Sequence, residues 1–210
     1  MTRLARSERA ALCDLALQVG EDQPTLCEGW TVKDLVVHLL VREGSPAAVG
    51  ISVPLLSRLT DAASARLGRR SFASLVDRLR DGPPRLSPFA VPRLDDLANT
   101  LEFYVHHEDV RRAQPGWTPR DLGAEADRRL WSMLGLPGKA LAHRAKVGLR
   151  IEDSSTGESK ALADRAPSAT VRGRPGEVAM FLFGRADRAE VELLGDDEAV
   201  RRLRATSQGG

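Results

Sequence analysis

LEFYVHHEDVRR, residues 101–112, decides how this chain is read. With Leu97 before it, Leu101, Tyr104 and Val105 recur at helical spacing, which predicts a helix from about Asp95 to Arg112. Glu102 and His106 lie four residues apart on that helix. Such spacing stacks two side chains on one face, roughly 5–6 Å apart at Cβ. A carboxylate and an imidazole placed that way can close on one metal ion. A third donor, His38, stands in the middle of a second apolar helical run, TVKDLVVHLLVRE (residues 31–43). If the two helices pack together, His38, Glu102 and His106 form a two-histidine, one-carboxylate set. Three protein ligands leave a position open for water or substrate, the pattern of a catalytic metal rather than a structural one.

Taken alone, an E-x-x-x-H pair is more often a surface ion pair than a metal site. Here the setting adds weight, because both segments place polar groups on apolar helices. Burying Glu102 without a partner is costly, and a divalent cation offsets that cost. His107 points about 100° away from His106 around the helix, so a surface or interhelical hydrogen bond suits it better than the same ion. Asp109, one turn on, is placed to orient a ligand histidine. Glu108 reads as a solvated charge and His143 as a linker residue. Cys27 precedes a helix N-terminus, which favours a thiolate, but no histidine is near it in sequence. Neither G-x-S-x-G nor G-x-x-x-x-G-K-[ST] occurs.

Around these segments the chain reads as helical up to about residue 136. Apolar positions from Leu4 to Leu17 predict a first helix that stops at Gly20. Thr31 and Asp34 have the spacing of a capping box at the start of the second. Further helices are expected over 54–68, from a cap at Ser71 to Arg80, and over 125–136. The prolines of DGPPRLSPFAVPR (81–93) bar regular helix there. The character then changes. KVGLRIED (146–153), ESKALAD, SATVRG and AEVELLGD read as strands. RPGEVAMFLFGR reads as a helix from Pro175 to Gly184, and DDEAVRRLRA as a closing helix. The expected division is a helical bundle over 1–140 and a small α+β domain over 141–210.

Composition narrows the function classes. At 210 residues with 42% apolar and 29% charged side chains, this is an ordinary globular chain. A net charge of +2 supplies no global field for nucleic acid, and no basic stripe with interleaved aromatics appears. Of the 31 basic residues only Lys33, Lys139, Lys146 and Lys160 are lysines, a bias best read as GC-rich coding. Two cysteines give no disulfide framework. No apolar run has the length of a signal peptide core or a membrane span. The expectation is a cytoplasmic protein with reduced thiols, with neither nucleic acid nor membrane as partner.

LCEGWTVKDLVVHLLVRE (26–43) and ANTLEFYVHHEDVRRAQPGW (98–117) resemble the actinobacterial branch of the DinB-like metal-binding proteins. That branch includes mycothiol-dependent maleylpyruvate isomerase, and the resemblance covers nearly the whole chain. VPRLDDLANTLEF and GRPGEVAMFLFGR resemble an uncharacterised subgroup of it. The resemblance implies an N-terminal four-helix bundle and a C-terminal domain like the sterol-carrier-protein fold. It implies a divalent metal, usually zinc, on His38, Glu102 and His106, the positions matching the family's GWTVxDLxxHL histidine and its E-x-x-x-H pair. It further implies mycothiol as co-substrate and an electrophilic partner undergoing isomerisation or S-transfer. The substrate contacts of the isomerase are not readable here. A non-catalytic metal-binding or ligand-sensing module is the alternative.

Overall fold

The computed structural model describes residues 4–44, 57–83 and 92–207. The chain packs as two compact units, Met1–Trp117 and Thr118–Gly210. The first is built of helices α1 (Leu4–Val19), α2 (Val32–Gly44), α3 (Ser57–Gly68), α4 (Phe72–Asp81) and α5 (Pro92–Arg112). Helix α1 lies along α5 and α4, while α2 packs on α3 and α4.

Local chemistry sets the boundaries. Gly20 takes φ 98°, a conformation that ends α1 and that an L side chain rarely adopts. The capping box at α2 forms reciprocally: Thr31 N–H donates to Asp34 Oδ2 at 3.0 Å, and Asp34 N–H to Thr31 Oγ1 at 3.2 Å. Ser71 occupies the N-cap of α4, but its side chain makes no capping bond. Helix α5 begins at Pro92, earlier than the expected Asp95, because a proline in the first turn sacrifices no intrahelical bond. The expected start of the third helix at Pro54 and most of the proline-rich run lie outside the described residues.

Helix α2 is buried on most sides: Val32, Leu35, Val36, Val37, Leu39, Leu40 and Val41 all enter the core. Leu12, Cys13 and Ala16 of α1, Leu75, Val76 and Leu79 of α4, and Phe103 and Val110 of α5 complete it. Cys13 is fully buried, with its Sγ 3.7 Å from the Val76 carbonyl. Burial pushes its thiol from 9.0 to about 11, against the smaller pull of Arg80 and Arg9. Between those values the native state holds a proton that the unfolded chain has lost. Stability present below pH 9 is therefore lost as pH rises to about 11, by roughly 2–3 kcal/mol. Urea midpoints at pH 8.5 and 10.5 should show this fall in the wild type and much less of it in Cys13→Ala. An equal fall in both would assign it elsewhere.

The second unit comprises α6 (Ala124–Met133), α7 (Gly135–Ala145), β1 (Gly148–Asp153), β2 (Ser159–Ala163), β3 (Ser168–Gly173), α8 (Pro175–Leu182), β4 (Glu192–Gly195) and α9 (Asp197–Thr206). The sheet order is β2-β1-β3-β4, with β1 and β3 parallel and both outer pairs antiparallel. Leu149 pairs with Ala169 and Ile151 with Val171, and these four buried side chains share one face. Helices α7, α8 and α9 pack on the sheet. Gly148 is required where it stands, since a Cβ there would meet the Arg165 carbonyl oxygen at 2.1 Å.

Two further features differ from the sequence reading. The helix expected over 125–136 is two helices, broken at Leu134. Pro137 in the first turn of α7 has no N–H to extend α6. The units also divide at Trp117/Thr118, earlier than the expected 140/141, because α6 packs on α8 and α7 on β1 and β2. Together the units make a mixed fold of helices with one four-stranded sheet among the described residues. No helix among them is long and apolar enough to cross a membrane.

Candidate metal centre

The packing of the first unit brings His38 of α2 to Glu102 and His106 of α5. One carboxylate oxygen is the focus. Glu102 Oε1 lies 3.2 Å from His106 Nε2, 3.7 Å from His38 Nε2 and 3.2 Å from Arg42 Nε. One ligand atom from each of His38, Glu102 and His106 lies within 4.8 Å of the other two. The two imidazole rings meet edge-on at 5.6 Å between centroids, and the Trp30 ring lies 5.0 Å from that of His38.

Arg42 is itself anchored. Its guanidinium donates to Asn99 Oδ1, Asn99 Nδ2 donates to Glu43 Oε1 at 2.7 Å, and Arg9 pairs with the same Glu43. Glu43 and Asn99 are buried, so a polar chain runs from Arg9 to the rim of the site and fixes Glu102 from behind. Burial alone would raise Glu102, but hydrogen bonds with His106 and His38 and the Arg42 charge hold it well below the usual carboxylate range.

The far side of His106 is equally determined. Its Nδ1 lies 3.0 Å from Asp109 Oδ2, and Asp109 is fully buried. Donation of Nδ1–H to that carboxylate turns the Nε2 lone pair toward Glu102 Oε1. A lone pair and a carboxylate oxygen at 3.2 Å repel unless a proton or a cation lies between them. Without a metal the proton prevails. Burial opposes it, yet the bonds to Asp109, Cys27 and Glu102 push His106 well above its ordinary value. This donor set therefore fits a divalent ion, which would take the place of that proton.

Cys27 reaches the same histidine through its loop. Trp30 N–H donates to the Cys27 carbonyl at 3.0 Å across a turn whose third residue, Gly29, has φ 76°. Thr25 Oγ1 accepts Cys27 N–H at 3.2 Å, and Leu26 N–H donates to the Asp109 carbonyl at 3.0 Å. These bonds set Cys27 Sγ 3.3 Å from Asp109 Oδ2 and 4.0 Å from His106 Nδ1. Sequence reading missed this contact because 79 residues separate the partners.

The remaining candidates fall elsewhere. His107 makes an interhelical bond, Nδ1 to Glu8 Oε2 of α1 at 2.8 Å. Glu108 is not solvated but fully buried between Arg111 and Arg112. His143 is exposed in the last turn of α7 rather than in a linker. Comparison with protein-family models, curated proteins and solved structures finds no significant match to this chain.

Proposed function

We propose that this chain is a divalent-metal-dependent, thiol-using enzyme, its ion held by His38, Glu102 and His106. The observation that carries the reading is the convergence of three donor atoms, from two helices, to within 4.8 Å of one another. The motifs resembling DinB-like proteins support zinc as the ion and mycothiol as the thiol. They also support a DinB-like bundle for the first unit and a sterol-carrier-protein-like fold for the second. When bound, zinc supplies a Lewis acid that keeps a thiol ionised near neutral pH. The protein's own residues do the rest. Asp109 holds the His106 tautomer and ring plane. Arg42 fixes the Glu102 carboxylate and supplies a positive charge beside it for an anionic substrate group. Trp30, 37% exposed, forms an apolar wall against His38. The thiolate would attack an electrophilic substrate, in isomerisation or S-transfer.

A non-catalytic metal-binding or ligand-sensing module is the second reading. It is favoured by the Arg42–Glu102 ion pair, which partly neutralises the carboxylate without any metal. Calorimetric titration with mycothiol and simpler thiols separates the two. Metal-loaded protein should bind mycothiol at least about tenfold more tightly than metal-free protein and release close to one proton per thiol, read from buffers of different ionisation enthalpy. Equal affinity with and without metal would end the thiol-enzyme reading in favour of the binding module.

A further inference from the structure

His106 presents two faces, and the donor set of His38, Glu102 and His106 takes its nitrogen from only one of them. Nε2 faces His38 and Glu102, while Nδ1 faces Cys27 and Asp109. On that second face the three donor atoms stand 3.0, 3.3 and 4.0 Å apart. A triangle of these sides leaves a point about 2.0–2.3 Å from each corner, the reach of zinc to nitrogen, oxygen and thiolate. The cluster is also built. Asp109 is fully buried, His106 is 12% exposed, and the Thr25 and Leu26 bonds hold the cysteine loop against α5.

The geometry points to a second cation set, made by Cys27 Sγ, Asp109 Oδ2 and His106 Nδ1, back to back with the first across one imidazole ring. Its chemistry differs from the first. One thiolate and one carboxylate neutralise a divalent ion, and the sulfur selects thiophilic ions such as Zn²⁺, Cd²⁺ and Co²⁺ over Mg²⁺. Binding displaces the Cys27 thiol proton and the His106 Nδ1 proton to solvent, and no redox step is involved. Occupation of this set removes Asp109 from its bond to His106, so the ion on one face bears on the ligand of the other.

The test is a titration of the metal-free full chain with Co²⁺ and with Cd²⁺, read by the thiolate-to-metal charge-transfer absorption. The wild type should develop the band at saturation, and Mg²⁺ in tenfold excess should not suppress it. Cys27→Ser should lose the band. Cys13→Ala, which removes the other thiol, should keep it. Asp109→Asn, which removes a ligand carboxylate's charge, should weaken the ion more than about 100-fold while retaining its helical circular dichroism. His38→Ala removes the first set but not the second, so its band should persist. That variant makes failure of the proposed function distinguishable from failure here. No band in the wild type, or a band that survives in Cys27→Ser, would overturn the second set.

Discussion

On the proposed function, His106→Ala should cost the protein its divalent ion. Wild type purified without chelator should carry about one such ion per chain, and the variant's affinity should fall more than about 100-fold, because changes merely to the partners of metal ligands already cost roughly 10–100-fold. His38→Ala should lose the ion of this set as well, since two remaining donors do not close it, and should keep only what Cys27, Asp109 and His106 hold. The neighbouring histidine is the internal control. His107 is bonded to Glu8 on α1 and offers nothing to Glu102. His107→Ala should therefore keep its metal and lose stability instead, because Glu8, 4% exposed, is left buried without that partner. Elemental analysis beside urea unfolding reads both effects. Full metal retention in His106→Ala and His38→Ala together would rule out this site.

The contrast between His106 and His107 shows what the sequence could deliver. Helical periodicity placed Glu102 and His106 on one face and His107 off it, and the structure keeps that division. Where pattern and backbone chemistry agree, the elements were legible: SATVRG is the strand Ser168–Gly173, and the Thr31–Asp34 cap closes as its spacing predicts. Legibility failed where the deciding contact is non-local. That Cys27 meets His106 depends on a turn at Gly29 and a backbone bond from Leu26 to the far end of α5. No local pattern encodes either. The break at Leu134 was missed for a different reason. The apolar pattern continues across it, and only the missing N–H of Pro137 tells against one long helix. Glu108 was misjudged because a charged residue flanked by charges looks solvated, whatever surrounds it in space.

Glu108→Ala should accordingly destabilise the first unit by about 3–5 kcal/mol, a large share of the roughly 5–15 kcal/mol that holds a typical domain folded. Neither Glu108 nor Arg112 exposes any side-chain surface. Glu108 Oε2 accepts from Arg112 Nε at 2.5 Å and from Arg111 Nη2 at 2.9 Å, and Arg111 Nε reaches Oε1 at 3.0 Å. The Arg112 guanidinium also lies 4.8 Å from the centre of the Trp117 ring. Removing the carboxylate takes this counter-charge from a buried guanidinium, and the desolvation it had offset is the main cost. Glu108→Gln keeps an acceptor oxygen and should cost less. The pair itself need not be stabilising: Glu108→Leu with Arg112→Met removes both charges together and should recover most of the loss. Urea unfolding of the four proteins, with helical circular dichroism as the probe, separates the penalty of an orphaned charge from the worth of the pair. A loss below about 1 kcal/mol in Glu108→Ala would mean that water reaches Arg112, and that the far end of α5 is not the dry anchor from which Asp109 and His106 are positioned.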